Sequence, residues 1–185
     1  MKRMLVGLIS VVLLVSFTLW AMAAEEVKTW SKLKNEGFEE TEQGKPKYWT
    51  FFGPEAALVL DENIRKEGKR SIQIFLQKPS QEGVRLQLPV EVEAFKRYDL
   101  GGWIKTENLQ DGYAQLSVIF VDKDRNKIER VDSPKISGTQ DWTSQHMWIE
   151  SPTGADVAYV TCFVKGKGKA WFDNIRFTGK LQGGY

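Results

Sequence analysis

Apolar residues recur at every second position in run after run of this chain. Ile72, Ile74 and Leu76 share a face in Ser71-Ile72-Gln73-Ile74-Phe75-Leu76, as do Leu86, Leu88 and Val90 in Arg85-Leu86-Gln87-Leu88-Pro89-Val90. Tyr98, Leu100, Gly102 and Ile104 align between Tyr98 and Lys105, and Leu116, Val118 and Phe120 align between Tyr113 and Val121. Ala158, Val160, Cys162 and Val164 repeat the pattern between Val157 and Val164. Two further strands are expected over Thr143 to Glu150 and Ala170 to Phe177. A period of two puts alternate side chains on opposite faces of a strand, so each run predicts a strand with one buried face. Gly, Pro, Asp and Asn bound the runs, as in Asp122-Lys123-Asp124-Arg125-Asn126, and no segment shows a convincing helical period. The expected fold is all-β, an antiparallel β-sandwich or jelly roll.

The first 23 residues follow a different pattern. Lys2 and Arg3 precede an almost unbroken apolar run from Leu5 to Trp20, and Ala21-Met22-Ala23 supplies small residues at a cleavage site. This reads as a signal peptide over residues 1–23, somewhat short for a span of roughly 20 bilayer residues. The expectation is export, to the medium or to a bacterial cell envelope or periplasm, with no membrane attachment after cleavage. Residues 24–34 read as a polar lead-in, 35–179 as one domain and 180–185 as a frayed tail. About 160 residues suffice for a substantial core without staples.

Charge narrows the partners. The chain has 26 basic and 24 acidic residues, and the leader removes two of the basic ones, so the exported domain is near neutral. A nucleic-acid-binding face needs clustered Lys and Arg, and the densest cluster, Lys165-Gly166-Lys167-Gly168-Lys169, reads as a solvated glycine-rich turn. Cys162 has no disulfide partner in the chain and reads as a small buried hydrophobe; the lone His146 has no partner of catalytic or metal-ligand type nearby in sequence. Acidic segments stand at both ends of the domain, Asn35-Glu36-Gly37-Phe38-Glu39 and Trp171-Phe172-Asp173-Asn174-Ile175. Carboxylates on first and last strands can tie the ends of a domain around a hard cation.

These segments, with Gly44-x-Pro46-x-x-Trp49, Asp61, Gly68-Lys69-Arg70-Ser71-Ile72, Trp103-Ile104-Lys105 and Asp141-Trp142-Thr143, resemble in order and spacing the carbohydrate-binding modules of the family 4, 9 and 22 group. The resemblance extends from Asn35 to Phe177 and implies a galactose-binding-like jelly roll. It also implies a structural calcium held by Glu39 and Asp173, with backbone carbonyls near Gly68 and Lys69 completing an oxygen shell of the kind calcium prefers. Asp61 reads instead as a turn cap.

The resemblance places a carbohydrate groove on the strands at Arg85, Tyr113 and Val157. Strand parity gives their outward residues as Arg85 and Gln87; Tyr113, Gln115, Ser117 and Ile119; and Tyr159, Thr161 and Phe163. Aromatic rings stack on pyranose faces, while amide, hydroxyl and guanidinium groups match sugar hydroxyls. Trp49, in an early loop, is a further stacking candidate; Trp142 and Trp171 read as packing residues, and Trp103 as part of a second patch.

The function expected is an exported, non-catalytic carbohydrate-binding protein gripping a polysaccharide of glucan or xylan type. An envelope interaction module of the same fold, binding a protein or surface polymer, is the alternative, and an enzyme partner would suit either. Hydrolysis would need paired carboxylates at a defined separation, and the outward groove positions hold none.

Overall fold

The computed structural model describes residues 29–53 and 56–180, so the expected signal peptide and most of the expected tail lie outside the described residues. Ten strands run in the order β1 (Thr29–Ser31), β2 (Thr41–Glu42), β3 (Lys45–Pro46), β4 (Thr50–Phe52), β5 (Ala56–Asp61), β6 (Ser71–Glu91), β7 (Arg97–Val121), β8 (Lys127–Asp132), β9 (Ile136–Glu150) and β10 (Val157–Lys180). All pairings between them are antiparallel, and no helix occurs among the described residues. The all-β jelly-roll expectation is met.

Three long strands organise the molecule. β6, β7 and β10 each contain two of the alternating runs seen in the sequence, joined through a bend where the pairing register shifts. One layer is β4, the second half of β6, the first half of β10, the second half of β7, and β8. The opposite layer joins β5, the first half of β6, the second half of β10, the first half of β7, and β9. The inward sets of both layers meet in one core: Ile72, Ile74, Leu100, Ile104 and Phe172 from one, Leu86, Leu116, Val118, Phe120 and Val160 from the other, all fully buried. Gly102 leaves room for this packing, since a Cβ there would stand 2.6 Å from Ile175 of its own layer and 3.1 Å from Leu116 of the other.

The Lys165–Lys169 segment is a correction to the sequence reading. It is the bend of β10 rather than a solvated turn. Gly166 and Gly168 take φ of 94° and 136°, where the register against β7 slips. A side chain at Gly168 would fall 2.3 Å from the Asn108 carbonyl oxygen, so glycine is what lets the two strands cross here. β1 pairs with Thr178–Lys180, Lys32 N–H donates to the Phe177 carbonyl and Leu33 is buried, so part of the supposed lead-in is a strand. Cys162 is fully buried, and burial pushes its thiol well above its ordinary pKa, in keeping with a packing role.

Candidate functional site

Cross-strand register assembles the outward face of the β4–β8 layer row by row. Thr50, Gln87, Thr161, Ser117 and Asp132 form one row across five strands. Phe52, Arg85, Phe163 and Gln115 form the next, and Pro89, Tyr159, Ile119 and Arg130 flank the first on its other side. Lys165 and Tyr113 pair beyond Phe163. The structure therefore brings Arg85, Gln87, Tyr113, Gln115, Ser117, Tyr159 and Thr161 onto a single face. Alternation on each strand dictates the face, and antiparallel pairing sets the rows.

The chemistry of this face is mixed. Tyr113 and Phe163 tilt against each other with ring centroids 5.9 Å apart, and Arg85 Nε donates to Gln87 Oε1 at 3.1 Å. Phe163 lies over Gly83, where a Cβ would meet its ring at 2.4 Å. Gln115, Ser117 and Thr161 have outward parity and yet are almost wholly buried. Gln115 Oε1 and Ser117 Oγ have no hydrogen-bond partner among the described residues. Buried polar atoms left unpaired cost about 1–3 kcal/mol each, which ordered water or a ligand hydroxyl would offset.

Trp49 does not belong to this face. It is 6% exposed and packs on Phe38 with centroids 5.2 Å apart, and its indole N–H donates to the Asn35 carbonyl at 3.2 Å. Its expected place at the rim is thus corrected: the loop turns the ring inward to cover the core edge. Phe52, 42% exposed, stands instead at that side of the face. Phe52, Arg130, Asp132, Lys135 and Lys165 were missed as site residues. The run Lys127-Ile128-Glu129-Arg130-Val131-Asp132 follows a turn but sets its apolar residues, Ile128 and Val131, three apart rather than alternately, and three-residue β4 is too short to show a period.

At the crossing of the domain's two ends, Glu39 and Asp173 converge. Asp173 is fully buried; its Oδ2 accepts the Lys66 and Glu67 amides at 2.7 and 3.0 Å, and its Oδ1 accepts the Asn174 amide at 2.7 Å. Glu39 Oε1 accepts the Lys69 amide at 2.8 Å. Both carboxylates come within 3.9 Å of the point where Gly37 would carry a Cβ. Burial pushes the Asp173 carboxyl above its ordinary pKa, the three amides counter this, and the Glu39 charge adds to the rise. Glu36, whose carbonyl accepts from Ile175 N–H, has a buried carboxylate oxygen with no partner among the described residues. An oxygen-rich, charge-frustrated crossing fits a hard cation in donor chemistry. Two details differ from the expected shell: the Lys69 amide rather than its carbonyl faces Glu39, and the Gly68 carbonyl accepts from Arg65 Nε at 3.2 Å. Among the described residues no three His, Cys, Asp or Glu side chains form a metal cage on their own, so backbone oxygens would be required.

Asp61 caps its turn, accepting the Asn63 and Ile64 amides at 2.9 and 3.0 Å, while its other oxygen accepts Trp171 Nε1–H at 2.9 Å. Burial raises its pKa, but these hydrogen bonds outweigh that and leave it below the ordinary carboxylate value. On the outer side of the opposite layer, His146 Nε2 lies 2.9 Å from Asp99 and its ring meets Trp148 edge-on at 5.2 Å. The histidine's partner, invisible in sequence, comes from a neighbouring strand. Lys66 covers Trp103 with its ammonium 4.1 Å from the ring centroid.

Over 104 residues the chain is 33% identical to the tRNA nuclease WapA of Bacillus subtilis (strain 168), a match to 52% of this chain and only 4% of that protein's length. Among solved structures, TmCBM61 in complex with beta-1,4-galactotriose superposes with a TM-score of 0.57 at 18% identity, over 80% of this chain and 97% of that one. The CBM22-1 xylan-binding domain from Paenibacillus barcinonensis Xyn10C gives 0.57 at 16% identity, over 80% and 93%. At such identities the superpositions establish a shared fold. The family model described as Carbohydrate binding domain (CBM_4_9) matches residues 31–168, and the chain belongs to that family.

Proposed function

We propose that the protein is an exported, non-catalytic carbohydrate-binding protein that holds a polysaccharide chain across the outward face of the β4–β8 layer. The observation that carries this reading is the row structure of that face. Tyrosine and phenylalanine rings flank a line of amide and hydroxyl groups, two of them buried with no partner. Sugar hydroxyls donate and accept, so Gln87, Gln115, Ser117 and Thr161 suit them in both senses, while Tyr113, Tyr159 and Phe163 offer apolar ring surface. A TmCBM61 structure holds a galactotriose and the CBM22-1 domain is described as xylan-binding, which supports a polysaccharide as the ligand class. Glucan and xylan chains are the backbones to try first. A structural calcium at the Glu39–Asp173 crossing completes the proposal; it would fasten the two ends of the domain without touching the ligand face.

The test is affinity electrophoresis and calorimetry on a polysaccharide panel, with Tyr113→Ala and Tyr159→Ala alongside the unaltered chain. Loss of one stacking ring, worth about 0.5–1.5 kcal/mol beyond its buried area, weakens binding by roughly two- to tenfold. Both variants should keep the melting temperature. Undiminished glycan retention in both would remove this face as the site. A folded chain that no glycan retards would favour an envelope protein or surface polymer as partner.

A further inference from the structure

Resting on the face proposed above, we infer that its ligand is an acidic polysaccharide, a glycan whose sugars carry carboxylates, rather than a neutral chain. Cations lie over three aromatic rings of this face, those of Phe52, Phe163 and Tyr113. The Arg85 guanidinium lies 4.7 Å from the Phe52 ring centroid, and the Arg130 guanidinium lies 5.4 Å from that of Phe163. Tyr113 has two ammonium groups near its ring, Lys135 at 4.4 Å and Lys165 at 5.7 Å. Register puts only Asp132 and Glu91 as acids on the same face, and Asp132 is already held by Arg130 at 2.7 Å. The face is thus cationic on a chain whose charges otherwise nearly cancel.

That arrangement suits an anion better than a bare pyranose. A ring whose face is covered by a guanidinium or ammonium must lose that contact before a neutral sugar can stack on it, and the neutral sugar offers the displaced charge nothing in return. A uronate carboxylate compensates the same cation directly, and Arg can take it through two parallel N–H donors. Register sets Arg85 and Arg130 in the rows that hold or adjoin Gln115 and Ser117, whose Oε1 and Oγ have no hydrogen-bond partner among the described residues, so the carboxylate and the hydroxyls of one sugar would be met on neighbouring rows. Concentrated positive charge would also speed encounter with a polyanion at low salt.

The experiment is affinity electrophoresis and calorimetry of the purified protein with polygalacturonate, alginate and glucuronoxylan, each before and after chemical reduction of its carboxyl groups. Neutral xylan, a β-glucan and dextran sulfate complete the panel. Expected is retention by at least one uronate-bearing glycan, weakened about tenfold or more by carboxyl reduction and strongly by a rise from 50 to 300 mM salt, screening being what salt does to exposed charge. Arg85→Gln and Arg130→Gln should each weaken that binding about three- to tenfold while leaving the melting temperature in place. Equal binding before and after reduction, or binding of neutral chains alone, would overturn the acidic specificity and leave the carbohydrate reading standing. Retention by dextran sulfate alone would also overturn it, showing attraction to bare charge. No retention by any glycan would overturn both.

Discussion

Replacing Asp173 by alanine tests the crossing that joins the two ends of the domain. The carboxylate is fully buried and accepts three backbone amides, from Lys66, Glu67 and Asn174, at 2.7 to 3.0 Å. Its removal strands three donors, each costing about 1 kcal/mol where water reaches the vacated space and up to about 3 where it does not. Relief of the repulsion from Glu39 offsets part of that. The net loss should be about 2–4 kcal/mol, a fall of roughly 5–15 °C in melting temperature for a domain of this size. Asp173→Asn should cost less, because its amide oxygen can still serve one side of the site. The pH dependence has a definite sign. The folded-state pKa of Asp173 is raised above its unfolded value, so its contribution is fully present below the ordinary carboxylate range and is lost as pH rises through the folded pKa. Asp61, Asp122 and Asp141, whose carboxyl pKa values are lowered, act in the opposite sense, so without calcium the stability of the unaltered protein should rise on acidification through that window relative to that of Asp173→Asn. Bound calcium would add about 2.7 kcal/mol at a hundredfold excess over its dissociation constant, an increment that EDTA removes and Asp173→Ala abolishes. Calorimetric melts of the three proteins in EDTA and in calcium read all of these effects. A midpoint for Asp173→Ala within 1 °C of the unaltered protein in EDTA would refute the hydrogen-bond argument, and an unaltered-protein midpoint indifferent to EDTA would remove the ion.

Two substitutions away from the ligand face check the packing. Trp49→Ala removes a ring packed on Phe38 and should cost about 3–5 kcal/mol in urea unfolding. Its glycan retention per folded molecule should match the unaltered chain, and a selective loss of binding would restore Trp49 to the site. Gly168→Ala meets both an unfavourable φ of 136° and the Asn108 carbonyl oxygen 2.3 Å from the new methyl group, and should cost about 2–4 kcal/mol. An unchanged urea midpoint would show that β7 and β10 separate freely at their bend.

Much of this protein was written locally. The alternating runs at Ser71, Arg85, Tyr98, Tyr113 and Val157 became strands with the expected inward sets, because alternation is a property of one strand and needs no partner to be legible. The same parity named most of the outward face, and the order of spaced motifs indicated the family. What tertiary structure alone decided were the relations between runs. Two runs became one long bent strand three times over, and Lys165–Lys169 reads as a turn until the close approach of Asn108 and Gly112 shows why its glycines bend β10. Trp49 looks like an exposed loop aromatic until Phe38 and the Asn35 carbonyl claim it. The cations over Phe52, Phe163 and Tyr113 come from other strands or loops far along the chain, and the Lys66 and Glu67 amides that meet Asp173 lie 107 and 106 residues from it in sequence. A side chain's face follows from its own strand, whereas its neighbours follow from register and bending, which depend on contacts between segments far apart in the chain.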